Sequence, residues 1–89
     1  MENKMILCLV NEFDMQQKIA IIDNNKVSLE SWADVGSLGQ AIAEMCANSN
    51  INNIHMIGNE EYISQKIVPD IYEYSLLTYG NTNLKVSYN

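Results

Sequence analysis

The sequence predicts one small mixed α/β domain: a single five-stranded sheet, ordered 3-2-1-4-5, with two helices on one face. Three observations carry that prediction. Met5-Ile6-Leu7-Cys8-Leu9-Val10 is an unbroken apolar run. A half-exposed strand alternates apolar and polar residues, so an unbroken run marks a strand covered on both faces, in the middle of a sheet. Two strand patterns follow it with only short connections, which is what antiparallel neighbours need. After them, helical and strand patterns alternate, and a strand–helix–strand order implies parallel pairing through a crossover.

Each element has its own reason. Met1 to Lys4 is a polar lead-in, and the apolar strand ends at Val10. Asn11-Glu12-Phe13-Asp14 is a turn, because Asn and Asp bond back to their own backbone. Gln17-Lys18-Ile19-Ala20-Ile21-Ile22 is rich in β-branched residues and reads as the second strand. Asp23-Asn24-Asn25 is a tight connection, since Asn tolerates positive φ better than other residues with a Cβ. Lys26-Val27-Ser28-Leu29-Glu30-Ser31 alternates strictly, which suits an edge or a wet face.

Trp32 to Gly36 reads as a connection or an irregular helical turn. Ser37-Leu38-Gly39-Gln40 has the form of a capping box. Leu38, Ala41, Ile42, Met45 and Cys46 then recur at helical spacing, and Asn48-Ser49-Asn50 ends the helix. Asn53-Ile54-His55-Met56-Ile57 is a short, largely apolar fourth strand. Asn59 caps a second helix, with Glu60 and Glu61 in the first turn where the helix dipole favours acids. Its expected apolar stripe is Ile63, Ile67, Ile71, Tyr74 and Leu77 or Thr78. Pro69 falls inside that stripe and should kink or split the helix. Gly80-Asn81 closes it. Leu84-Lys85-Val86-Ser87-Tyr88 alternates and reads as the second edge strand.

Eighty-nine residues make one domain, residues 1–89, with no repeat or linker. The net charge is −6, from eleven acids against five lysines, with no arginine. Arginine's planar fork is the preferred group for phosphate and base edges, so nucleic acid is an unfavoured partner. Cys8 and Cys46 sit in two regular elements and read as buried small hydrophobes in a reducing compartment. No metal or cofactor site is expected, since His55 is the only histidine. The short apolar run after Lys4 fits neither a signal peptide nor a membrane span, so the expected location is cytoplasmic. Frequent Asn and Ile with no Arg point to a low-GC genome, bacterial or phage.

This order of elements resembles the core of the ribonuclease H-like fold, over nearly the whole chain. Nucleases of that group hold metal ions with carboxylates on the first strand, the first helix and the end of the fourth strand. Here the first strand has no acid between Met5 and Val10, and Asn59 stands just past the fourth. Glu44 on the first helix is the one matching carboxylate. Actin-like members bind nucleotide with a glycine-rich hairpin, and Asn11 to Gln17 has no glycine. The resemblance therefore implies at most a degenerate nuclease or nucleotide-binding site, at Asp23, Glu44 and Asn59.

Other constellations have plain structural explanations. His55 in an apolar strand is expected to bond to backbone, and Ser37 lacks the Gly-x-Ser-x-Gly setting of a nucleophile. Tyr62, Tyr72, Tyr74 and Tyr79 read as half-buried rings on the second helix, or as an aromatic binding surface. Trp32 reads as a core cover or an exposed anchor.

Both crossovers run the same way across the sheet, and both must be right-handed, so both helices cover one face. The other face is left apolar and bare. With Leu7 and Leu9 toward the helices, that face carries Ile6, Cys8 and Val10. The expected function is thus a non-catalytic protein-binding module, self-associating through Ile6, Cys8, Val10, Trp32, Tyr72 and Tyr74. A small-ligand cavity at a dimer interface is a further alternative.

Overall fold

The computed structural model describes residues 3–89. Met1 and Glu2, the start of the expected lead-in, lie outside the described residues. The strands are β1 (Lys4–Leu9), β2 (Gln17–Asp23), β3 (Lys26–Trp32), β4 (Asn53–Ile57) and β5 (Lys85–Tyr88). They form one mixed sheet ordered β3-β2-β1-β4-β5. β2 is antiparallel to both of its neighbours, while β1–β4 and β4–β5 are parallel. The sheet is the one read from the sequence, with the unbroken apolar strand at its centre.

The connections follow from local chemistry. Asn24 takes φ 58° in the β2–β3 turn, a conformation Asn tolerates. The Asn11 carboxamide accepts from the Phe13 N–H at 3.0 Å and its amide donates to Asp14 at 3.0 Å. Gln17 finishes that turn. Its buried carboxamide accepts from the Asn11 N–H at 2.7 Å and donates to the carbonyls of Asn11 and Asp14 at 2.9 and 3.0 Å. A fully buried amide of this kind is tolerated because its polar atoms are bonded.

A 3₁₀ turn (Val35–Ser37) leads into α1 (Leu38–Ser49). Ser37 does not cap α1 as the capping-box pattern predicts. Its hydroxyl donates back to the Asp34 carbonyl at 3.3 Å, while Asp34 accepts from the Gly36 N–H at 2.8 Å and caps the 3₁₀ turn instead. The second helical stretch has three parts: α2 (Glu60–Tyr62), a π turn (Ile63–Ile67) and α3 (Val68–Tyr79). The Asn59 side chain accepts from the Tyr62 N–H at 3.0 Å, as expected of a cap. The expected interruption at Pro69 falls just before it: Pro69 stands in the first turn of α3, and the chain stays helical through the π turn. Its ring would crowd the carbonyl of Gln65, and the wider turn before it, where the Val68 N–H reaches Ile63, makes the room.

The π turn also moves the buried stripe. Ile63, Ile67 and Ile71 are buried as expected, but Ser75 follows them instead of Tyr74. The Ser75 hydroxyl donates to the Asn81 carbonyl at 2.9 Å. Gly80, at φ 63°, donates to Leu76, and Asn81 donates to the Ser75 carbonyl, which together close α3 in a Schellman motif.

α1 and α3 pack side by side on the same face of the sheet. Gly39 lets them approach: a Cβ there would stand 2.6 Å from the Asp70 Cβ and 3.1 Å from the Ile71 amide nitrogen. Beneath them lies one core, in which Ile6, Cys8, Ile19, Ile54 and Met56 from the sheet meet Leu38, Ile42, Cys46, Ile63 and Ile71 from the helices. This corrects the expected facing of β1. Ile6, Cys8 and Val10 are under the helices, and Leu7 and Leu9 are on the open side. β1 is apolar on both sides, so its own sequence cannot choose; the register chooses. Cys8 stands between Ile19 and Met56, whereas Leu7 stands between Ala20 and His55. No helix among the described residues is long and apolar enough to cross a membrane.

Candidate binding face

Because side chains alternate along strands, the register fixes what the open face carries. One row across it runs Leu29, Ala20, Leu7, His55, Ser87. On one side of this row lie Val27, Ile22 and Met5. On the other lie Ser31, Lys18, Leu9 and Ile57. Leu29 is 82% exposed, Val27 63% and Leu9 46%. A shallow depression of about 380 Å³ opens between Leu7, Leu9, Lys18, Ile19, Ala20, Leu29, Glu30 and Ser31. Its walls are aliphatic, with one ammonium group, one carboxylate and one hydroxyl among the lining residues. That chemistry suits the side chains of a protein partner, since apolar surface leaving water contributes roughly 25 cal/mol per Å².

Charge is sorted between the two sides of the molecule. Register places Lys18, Lys85 and His55 on the open face, and one acid, Glu30 on the edge strand β3, reaches the lining of its depression. The alternation and register place Asp23 and Glu30 on the other side of the sheet, in line with Lys4 and Cys8. Asp34, Glu44, Glu60, Glu61, Asp70 and Glu73 lie on the helical turns and helices or just before them. A chain of net charge −6 thus presents an apolar face on which register places two lysines, with one acid at the β3 edge.

His55 is half-buried on this face, and its Nδ1 lies 2.7 Å from the Ser87 hydroxyl on the neighbouring strand. It bonds to a side chain, not to the backbone partner expected. The Ser87 hydroxyl also reaches the Ile54 carbonyl at 3.4 Å. A serine–histidine nucleophile needs a third group to orient the imidazole, and the row through His55, made of Leu29, Ala20, Leu7 and Ser87, holds no carboxylate.

The residues expected to form an interface do not share one surface. Ile6, Cys8 and Val10 are core. Trp32 lies opposite Gln17 on the helix side, half-buried against the core, with its indole N–H buried and unpartnered within the chain. It serves as the core cover of the two alternatives. Tyr72 and Tyr74 are partly exposed on α3. Burial pushes the Cys8 and Cys46 thiols up to about 12, which keeps both protonated and unreactive near neutral pH.

The alternative carboxylate site does not assemble either. Asp23 stands opposite Lys4 at one end of β1, while Asn59 follows β4, whose Ile57 stands opposite Leu9 at the other end. Five strand residues separate those rows, or about 17 Å. Metal ligands must lie within about 2.6 Å of a shared ion. Glu44 is exposed on α1, and the Asn59 carboxamide is already spent on its cap. No group of three or more His, Cys, Asp or Glu side chains placed to hold a metal occurs among the described residues.

Compared with known protein families and with curated proteins, the sequence matches no family model and no curated sequence.

Proposed function

We propose that this chain is a non-catalytic protein-binding module that self-associates through its open sheet face, of the accessory or inhibitory kind found in low-GC bacteria and their phages. The observation that carries this is the contiguous aliphatic surface made by Leu7, Leu9, Ala20, Ile22, Leu29 and Ile57. Monomeric proteins rarely leave several hundred Å² of contiguous apolar surface in water, and a partner that covers it gains the transfer free energy. A second copy of the chain is the partner always present at the protein's own concentration. The acidic remainder of the surface keeps the molecule soluble and disfavours polyanions.

Solution mass tests the proposal. Size-exclusion chromatography with light scattering, over a range of concentrations, is expected to give a mass above the 10.1 kDa of one chain. Leu9→Glu is expected to return it to 10.1 kDa without unfolding it. A mass of one chain for the unmutated protein at every concentration would sink the self-association.

A further inference from the structure

We infer that the open sheet face of one copy is covered by the outer surface of α3 from a second copy, so that the chain assembles head to tail. The inference rests on the self-association proposed above and adds which surface meets which. On α3 the core side is set by Ile71 and Ser75. The opposite side holds Glu73, Leu76 and Leu77, with Tyr72 beside them. Leu77 is 74% exposed and Leu76 53%. These two leucines form the apolar part of the surface, and Glu73 is embedded between them. Asp70 adds a second carboxylate at the margin toward α1, in the same shallow surface cleft as Glu73 and Leu77.

The two surfaces complement each other in charge and in shape. The sheet face is aliphatic, with Lys18, Lys85 and His55 placed on it by register and one acid, Glu30, at its β3 edge. The α3 surface is aliphatic with Glu73 and Asp70 and has no base within α3. A helix of 12 residues is about 18 Å long, close to the roughly 20 Å of a strand of six or seven. A helix lying across the open face would also complete the layering typical of parallel-strand sheets, with helices on both sides. Packing two sheet faces together instead would bring two copies each of Lys18 and Lys85 into one contact, with only the edge residue Glu30 of each copy to oppose them. Desolvating ammonium groups that outnumber their counter-charges is costly. A contact between two different surfaces is heterologous and propagates into a ring or an open chain.

Mixing two variants tests this. Leu29→Glu spoils the sheet face and Leu77→Glu spoils the helix face; both side chains are largely exposed, so the fold is kept, which circular dichroism checks. Each variant alone is expected at 10.1 kDa. A 1:1 mixture should double that mass and stop there, because each dimer has one spoiled surface at either end. The unmutated chain should grow past the dimer as concentration rises. If Leu77→Glu alone still associates like the unmutated chain while Leu29→Glu does not, the sheet faces pack on each other; the head-to-tail contact is overturned and the self-association stands. If both variants are monomeric and their mixture stays so, the head-to-tail contact is again overturned. An unmutated chain that is monomeric throughout removes both proposals.

Discussion

The two faces of this sheet are built from interleaved residues of the same strands and have opposite fates. On β1, Ile6 and Cys8 are fully buried beneath α1 and α3, while Leu7 is half-buried and Leu9 lies 46% in water. Hydrophobicity does not separate the two sets. What separates them is the company each keeps across the sheet. The helix-side rows are completed by Ile19, Ile21, Ile54 and Met56, and the open rows by Lys18, Ala20, His55 and Ser87. A central strand apolar on both sides tells that two faces want covering; its neighbours decide which one the chain covers itself.

The largest test of that contrast is to put a carboxylate on each side of β1. Ile6→Glu places a carboxyl group in the core with no partner; it takes a proton rather than stay charged, and the unbonded polar group and lost packing still remove several kcal/mol of the ~5–15 kcal/mol that hold a domain together. The cooperative urea transition should move to much lower urea or be lost. Leu9→Glu, at a residue 46% exposed, should keep the transition within about 1 kcal/mol of the unmutated chain when both are monomeric. If the two substitutions cost alike, the faces are not distinct in the way described.

Alkaline pH sharpens the contrast without mutation, because both cysteines belong to the covered side. In the native state burial raises each thiol from 9.0 to about 12. Below pH 9 the native and unfolded chains both keep these protons, and the thiols add no pH dependence. Above it the unfolded chain loses protons that the native state holds, so stability falls as pH rises toward 12. The slope is about 1.4 kcal/mol per pH unit for each thiol. Urea midpoints at pH 8, 9.5 and 10.5 should fall in that order. Cys8→Ala with Cys46→Ala should flatten the trend.

A smaller effect is expected where the two helices meet. Gly39→Ala adds a methyl group 2.6 Å from the Asp70 Cβ, and part of what it strikes is backbone. Overpacking of this kind costs about 1–3 kcal/mol, measured as a lowered urea midpoint. Gly39 shows how far the sequence could be read. Its place near a helix start accounts for its tolerance there, but the need for glycine comes from Asp70 and Ile71, far along the chain. Strand order, the direction of each pairing and the common side of both helices were legible, because they follow from element order and crossover handedness. The Asn24 turn and the Asn59 cap were legible from local chemistry. The phase of α3 was not, because the π turn before Pro69 slips the stripe from Tyr74 to Ser75. The buried Gln17 escapes a sequence reading for a related reason: its partners are carbonyls, which every residue carries. The candidate face itself was legible as an apolar face without a helix, but the sequence reading puts the wrong β1 residues on it. The signal that places them correctly lies in the flanking strands. Asn53 and His55 alternate with Ile54 and Met56, and Lys18 alternates with Ile19, so the polar members of β2 and β4 mark the open side.

The smallest effect on folding should come from Leu29→Ala. Leu29 is 82% exposed on β3, and both faces of that strand are largely in water. In dilute solution, where copies are apart, removing its side chain deletes little buried area and should move the unfolding free energy by no more than about 0.5 kcal/mol. At concentrations where copies meet, the same substitution removes an apolar group worth roughly 1.5–3 kcal/mol if fully buried by a partner. Its cost to stability should therefore grow with protein concentration, because association stabilises only the folded chain. Urea unfolding of Leu29→Ala and of the unmutated chain at two concentrations a hundredfold apart reads this directly. A difference that is small when dilute and larger when concentrated ties the open face to association. A loss near 2 kcal/mol in the dilute sample would instead mean that Leu29 is packed within its own chain and that the two faces differ less than their exposures indicate.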